Sequence, residues 1–320
     1  MKKSQTPMHN HNSAFNKLAV GPITFFWQKT MLLIFFQLVF LRFHGNVVIA
    51  QAPAEACLLW ELSGNGLAQP SYIYGTIHLI PQKDFVVDKL TLESFDKCKT
   101  LALEADLNMD EDTRDKLALS TLLPDNRTLE DYMTKDDYKF TEKYVKDSLK
   151  ISSIKWILFK RVRPFYLSAL FMKEIAGKTE SYEETFIDMA KKKKMTTMGL
   201  EPILFQIGII DSIPVEQQIT MMLDGFREGK NIRKEWENLI TVYKSRDLNA
   251  MQALMVDEGG NIPDFEERFL NRRNNKWIPG IEQQAAKEAT FIAVGAAHLV
   301  GAKGIIALLR EKGYTLKPVM

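Results

Sequence analysis

Apolar residues gather in short runs at both ends of the chain and take on helical spacing between them. Residues 57–62 (CLLWEL) and 72–75 (YIYG) are apolar, aromatic-rich runs around Gly64-Asn65-Gly66, which predicts strand, turn and strand. Residues 85–98 set Phe85, Leu90, Leu92 and Phe95 at helix-compatible spacing, and residues 101–104 (LALE) read as another buried strand. Residues 109–190 lack strand patterning and predict several helices, punctuated by Pro124 and Pro164, with Gly177 in a polar break. Residues 195–200 (MTTMGL) predict a strand running into Glu201; 203–258 return to helix, with Pro214 opening a segment. The clearest piece comes last: a strand at 291–294, a helix at 305–312 closed by Gly313, and a final strand at 314–319.

Strand, Gly-x-x-His, helix and strand thus occur in that order near both ends. The expected fold class is α+β: a mixed β-sheet formed by two related β-α-β-like halves with a large helical insert between them. Residues 53–320 form the expected domain, with 108–190 and 203–285 as the mainly helical insert.

The first 52 residues follow a different logic. They hold Lys2, Lys3, Lys17, Lys29 and Arg42 and no acid. Residues 31–41 (MLLIFFQLVFL) are an apolar run behind Lys29, and Ala50-Gln51-Ala52 is a small-residue site of the A-x-A type. That combination predicts a secretory signal peptide or, if it is retained, an N-terminal anchor, with Met1 or Met31 as the start. An exported protein in the periplasm or cell envelope of a bacterium is the expectation. Removing those five cations leaves 37 basic residues against 40 acidic ones, a net charge of −3 that gives no footing for nucleic acid. Membrane contact is expected only through the N-terminal segment. Cys57 and Cys98, widely separated, are compatible with a disulfide in an oxidising compartment or with two buried thiols.

Three of the five histidines lie in the leader; His78 and His298 remain. Each stands three residues after a glycine, Gly75 and Gly295, and each follows a predicted strand. A glycine there would allow a sharp turn and leave room for a ligand beside the imidazole. Neutral imidazole suits zinc, manganese or cobalt, and a carboxylate would complete a site with open positions for water. Glu104 is the preferred acid because it ends an apolar strand, where an unpaired charge is costly. Asp106 and Glu201 are the alternatives, and Glu201 before Pro202 also reads as a helix N-terminal acid.

Tyr74-Gly75-Thr76-Ile77-His78-Leu79, then Leu103-Glu104, then Gly199-Leu200-Glu201 with Gln206, resemble motifs of the TraB/GumN family, which includes the TIKI-type metalloproteases. Arg273-Asn274 with Trp277 resembles its arginine–asparagine element, and residues 294–301 (VGAAHLVG) its second Gly-x-x-His motif. The resemblance implies a mixed sheet with a helical insert, a site where both histidines and Glu104 converge, and manganese- or cobalt-dependent peptide cleavage in TIKI-type members. The resulting expectation is a metal-dependent hydrolase, peptidase-like, taking a peptide or small-molecule substrate. His78, His298 and Glu104 would hold a divalent metal, with Glu104 as ligand or general base and Arg273 stabilising the oxyanion. Glu201, Gln206 and Asn274 would support them. The alternative is a non-catalytic envelope protein that binds haem, a metal or a signalling peptide in the same crevice. Arg273 also reads as one member of a surface cluster with Arg268, Arg272 and Lys276.

Overall fold

The computed structural model describes residues 56–106, 109–227, 232–259, 262 and 264–320; the predicted signal or anchor at 1–52 lies outside them. The first apolar runs form a hairpin of β1 (Leu59–Gly64) and β2 (Ser71–Thr76). Its turn uses positive φ at Gly64, Asn65 and Gly66, a conformation open to glycine and tolerated by asparagine. A two-residue strand β3 (Ile80–Pro81) leads to α1 (Lys89–Asp96), whose N-terminus is capped by Asp88 accepting from the Thr91 amide, and then to β4 (Thr100–Ala105).

The helical middle follows: α2 (Glu111–Ser120), α3 (Lys135–Asp147), α4 (Ser153–Phe159) and α5 (Pro164–Ala176), which Pro164 opens and Gly177 closes. A short strand β5 (Thr179–Glu180) interrupts it before α6 (Tyr182–Lys193) and β6 (Thr196–Glu201). Four more helices come next, α7 (Ile203–Asp211), α8 (Val215–Arg227), α9 (Ile232–Lys244) and α10 (Leu248–Gly259). A π-helical turn at Glu267–Asn271 runs straight into α11 (Arg272–Lys287), and β7 (Thr290–Gly295), α12 (Ile305–Glu311) and β8 (Tyr314–Pro318) finish the chain.

Six strands form one sheet in the order β6-β4-β7-β2-β1-β8. The first four are mutually parallel, β1 runs against them, and β8 is antiparallel to β1. Burial explains why the central strands read as unbroken apolar runs. Every residue of β2 and β4 is buried, whereas edge strand β8 alternates buried and exposed positions. The expected α+β fold with two related halves is present: β2–α1–β4 and β7–α12–β8 each carry a Gly-x-x-His turn after the first strand. One departure concerns the span read as lacking strands, because β5 pairs antiparallel with β3 through Ile80↔Glu180 and Pro81↔Thr179. A two-residue ladder leaves too short a pattern to read.

The core over this sheet is aromatic. Phe186 of α6 seats against Tyr74, Phe95 and Phe291 at ring-centroid distances of 5.4, 5.6 and 4.9 Å. Tyr243 of α9 donates to the Gly75 carbonyl at 3.0 Å and ties the insert to the first motif. The disulfide considered for Cys57 and Cys98 is not formed; both are buried free thiols. Cys57 Sγ hydrogen-bonds to the carbonyls of Leu59 and Val319, and Cys98 Sγ to that of Ser94. Burial raises both, Cys98 to about 12. Among the described residues no helix is long and apolar enough to cross a membrane. Lys191, Lys192 and Lys193 stand exposed in the last turn of α6, where cations oppose the negative helix end.

Candidate active site

Parallel pairing of β2 with β7 sets Gly75 opposite Val294 and Thr76 opposite Gly295, so both Gly-x-x-His turns leave the sheet side by side. They leave at the carboxyl ends of the strands, where open α/β sheets place ligands. β4 lies on the other side of β7, and its Glu104, 7% exposed, reaches across to them. Glu104 Oε1 accepts the Gly295 amide proton at 2.7 Å, and Oε2 accepts from Arg273 Nη2 at 2.6 Å.

His298 lies in a single 3-10 turn, Ala296–His298, with its ring against Trp277. Its tautomer follows from its partners. Arg273 Nη1, 3.0 Å from Nε2, can only donate, so Nε2 accepts and the proton sits on Nδ1. That proton goes to Asn274 Oδ1 at 2.6 Å, while Asn274 Nδ2 donates to the carbonyls of His298 and Lys303. Burial, reinforced by the Arg273 charge, pushes His298 down to about 3. It is neutral in the fold and charged in the unfolded chain below its ordinary 6.5. In that window the unfolded state binds the extra proton, so stability falls as pH drops below 6.5. The expected result is a decline in urea-unfolding free energy from pH 6.5 downward that is shallower in His298→Gln. An identical slope in both proteins would contradict it.

Arg273 is wholly buried on α11, and all three of its guanidinium nitrogens are engaged. Nε donates to Glu201 Oε1 at 2.8 Å, Nη1 to the Phe269 carbonyl and His298 Nε2, and Nη2 to Glu104 Oε2. Nη2 also lies 2.7 Å from Glu201 Oε1. This corrects the surface reading of Arg273 made from the sequence. It is no surface charge, and each of its three nitrogens is already bonded within the protein. Its work is to lock Glu104 and His298 in place. Glu201 is buried and accepts from Gln206 Nε2 at 2.9 Å, so Gln206, Glu201 and Arg273 form a chain behind the site. Asp106 is exposed, one residue beyond the end of β4.

His78, 8% exposed, has Nδ1 2.8 Å from Glu183 Oε1 of α6. Thr76 Oγ1 donates to that oxygen at 2.5 Å, and Ser181 Oγ to Oε2 at 2.9 Å. Burial works against a charged His78, yet Glu183 and then Glu104 outweigh it and raise the imidazole above its ordinary value. Burial likewise opposes ionisation of Glu104, but Arg273 and the two histidines hold its carboxyl down at about 2. Glu183 and Thr76 were not anticipated from the sequence.

The two motif glycines do different things. A Cβ on Gly295 would meet Glu104 Oε1 at 3.2 Å, His298 Cδ2 at 3.7 Å and His78 Nε2 at 3.9 Å, so its absence keeps open the cradle where the three side chains converge. A Cβ on Gly75 would meet Leu299 Cδ1 and Ala296 at 3.0–3.1 Å; that glycine admits packing, not a ligand. Neither adopts positive φ, so the sharp turn expected of them is not what they provide.

A divalent cation can be tested against this geometry. No three His, Cys, Asp or Glu side chains among the described residues form a ready cage. The donors nonetheless suit such an ion. Two imidazoles and a carboxylate oxygen border a space that one Cβ would fill, and of three buried carboxyl groups Glu104 and Glu201 pair with Arg273 while Glu183 pairs with His78. His78 and Glu104 face the cradle directly, whereas His298 would have to give up its Arg273 hydrogen bond. In donor type, charge and room the residues fit.

Fold and centre together define an α+β protein with a buried His–Glu–Arg cluster at the ends of parallel strands. The model of the TraB/PrgY/gumN family matches residues 58–318, and the chain belongs to that family. It is similar to metalloprotease TIKI1 of Xenopus tropicalis, 22% identical over 314 residues, which covers 80% of this chain and 60% of the relative. Metalloprotease TIKI1 of Homo sapiens is 22% identical over 317 residues, covering 81% and 61%, and TIKI2 of Danio rerio 21% over 315, covering 81% and 60%. The chain thus spans about three-fifths of the length of these curated relatives. No solved structure matches it.

Proposed function

We propose that this chain is a metal-dependent hydrolase of peptide or small-molecule amides or esters, exported to the cell envelope by its N-terminal segment. The observation that carries the reading is the cradle at Gly295, bordered by His78 Nε2 and Glu104 Oε1. The relatives named metalloproteases support it at a distance. A bound divalent ion would supply Lewis acidity and a water of lowered pKa. His78 and Glu104 would hold it, with His298 as third donor; the family resemblance favours manganese or cobalt, and the same donors suit zinc. A carboxyl held at about 2 is a weak base near neutral pH, so Glu104 serves better as ligand than as general base. Arg273 keeps that carboxylate aimed at the cradle through the 2.6 Å bond to Oε2.

The test uses the full chain stripped with chelator, then supplied with manganese, cobalt or zinc and a mixed peptide library. Metal-stimulated cleavage is expected, reduced by about a hundredfold or more in Glu104→Gln. Metal or peptide binding without turnover, unchanged in Glu104→Gln, would replace this reading with that of a non-catalytic binding protein.

A further inference from the structure

We infer that Glu183 is a positioning residue for His78: it holds the ring with its proton on Nδ1 and so presents the Nε2 lone pair to the cradle. The argument begins with proton counting. A carboxylate can only accept, and Glu183 Oε1 lies 2.8 Å from His78 Nδ1, so that nitrogen carries the hydrogen. Thr76 Oγ1 and Ser181 Oγ donate to the two oxygens of Glu183 and fix its plane. His78 Nε2 then faces the place a Gly295 Cβ would occupy, 3.9 Å away.

An acid in the first turn of a helix has an ordinary role, complementing the helix dipole from solvent. Glu183 does not fit it. It is 8% exposed, and Glu184 beside it occupies the same first turn. Burial of a carboxylate is costly unless it is paired, and the pair here is His78. The placement is built into α6: Glu183, Phe186 and Ala190 form one buried stripe, and Phe186 anchors it on the aromatic core over β2 and β7. The two histidines are thereby made unlike. His298 is oriented by the neutral amide of Asn274, His78 by a carboxylate that enriches its ring electronically. The consequence for an ion rests on the proposed metal reading; the tautomer does not.

The test is long-range proton–nitrogen NMR of the full chain, labelled with nitrogen-15, stripped of metal and held at alkaline pH. The expected spectrum shows His78 with Nδ1 protonated in the wild type and in Glu183→Gln, whose amide oxygen still accepts. In Glu183→Ala the ring shifts toward the Nε2-protonated form. His298 stays Nδ1-protonated throughout and reports that each variant is folded. Affinity for manganese, measured by calorimetry, should fall about tenfold to a hundredfold in Glu183→Ala and be rescued in Glu183→Gln. An Nε2-protonated His78 in the wild type, or an unchanged tautomer in folded Glu183→Ala, overturns the inference. The expected tautomers without manganese, cobalt or zinc binding by the wild type uphold the positioning role and defeat the metal reading instead.

Discussion

Replacing Arg273 with leucine is expected to destabilise the protein by about 3–5 kcal/mol, the usual cost of removing one partner from a buried ion network. The guanidinium bridges Glu104 and Glu201, with side-chain exposures of 8% and 0%, and leucine would leave both carboxylates without their counter-charge. His298 Nε2 and the Phe269 carbonyl would lose their donor at the same time. Arg273→Lys should fall between the two proteins, because an ammonium keeps the charge but cannot serve four acceptors in a plane. Urea unfolding of the three proteins checks this. A loss below about 1 kcal/mol in Arg273→Leu would mean that the network does not organise the site.

Gly295→Ala should do the opposite, abolishing occupancy of the cradle while leaving the fold within about 1 kcal/mol of the wild type. The backbone there, φ −52° and ψ 133°, is open to alanine, so no strain follows from the substitution. The added methyl would stand 3.2 Å from Glu104 Oε1 and inside the space shared with both imidazoles. Calorimetry with manganese, cobalt and zinc, together with thermal unfolding, separates the two quantities. Undiminished metal binding in a stable Gly295→Ala protein would place the ligand elsewhere. Gly75→Ala, pressed against Ala296 and Leu299, should lose stability instead.

Much of this was legible in the chain because burial leaves a pattern. Parallel central strands are covered on both faces, so β2, β4 and β7 read as apolar runs, and a polar residue inside one, Glu104, stands out. The paired Gly-x-x-His turns were visible for the same reason, each following such a run. The surface alternative for Arg273 arises because its neighbours are basic, yet the sequence holds a clue against it. Arg273, Trp277, Ile281 and Ala285 recur every four residues along α11, and the arginine lies on the buried stripe that they define. Glu183 carries the same kind of signal with Phe186 and Ala190. It was overlooked because acids at helix starts are ordinarily solvated. What no local pattern reveals is the meeting of α6 with the first motif, which depends on long-range packing and on the tiny β3–β5 ladder.

The adjacency of β2 and β7 joins the two ends of the described chain, with the helical insert between them. Contacts so distant in sequence are slow to form, since a long loop must close before they contribute. The cradle therefore does not exist in any folding intermediate that lacks β7, and a chain cut short of residue 290 would carry His78, Glu104 and Glu183 without their partners. Whatever binds among these side chains touches residues following β2, within β4 and after β7 together, and by mass action it favours the closed topology over every partly assembled one. Ligand supply would then set how much of the chain stands open to proteolysis, a hold on the fold exerted from the cradle itself.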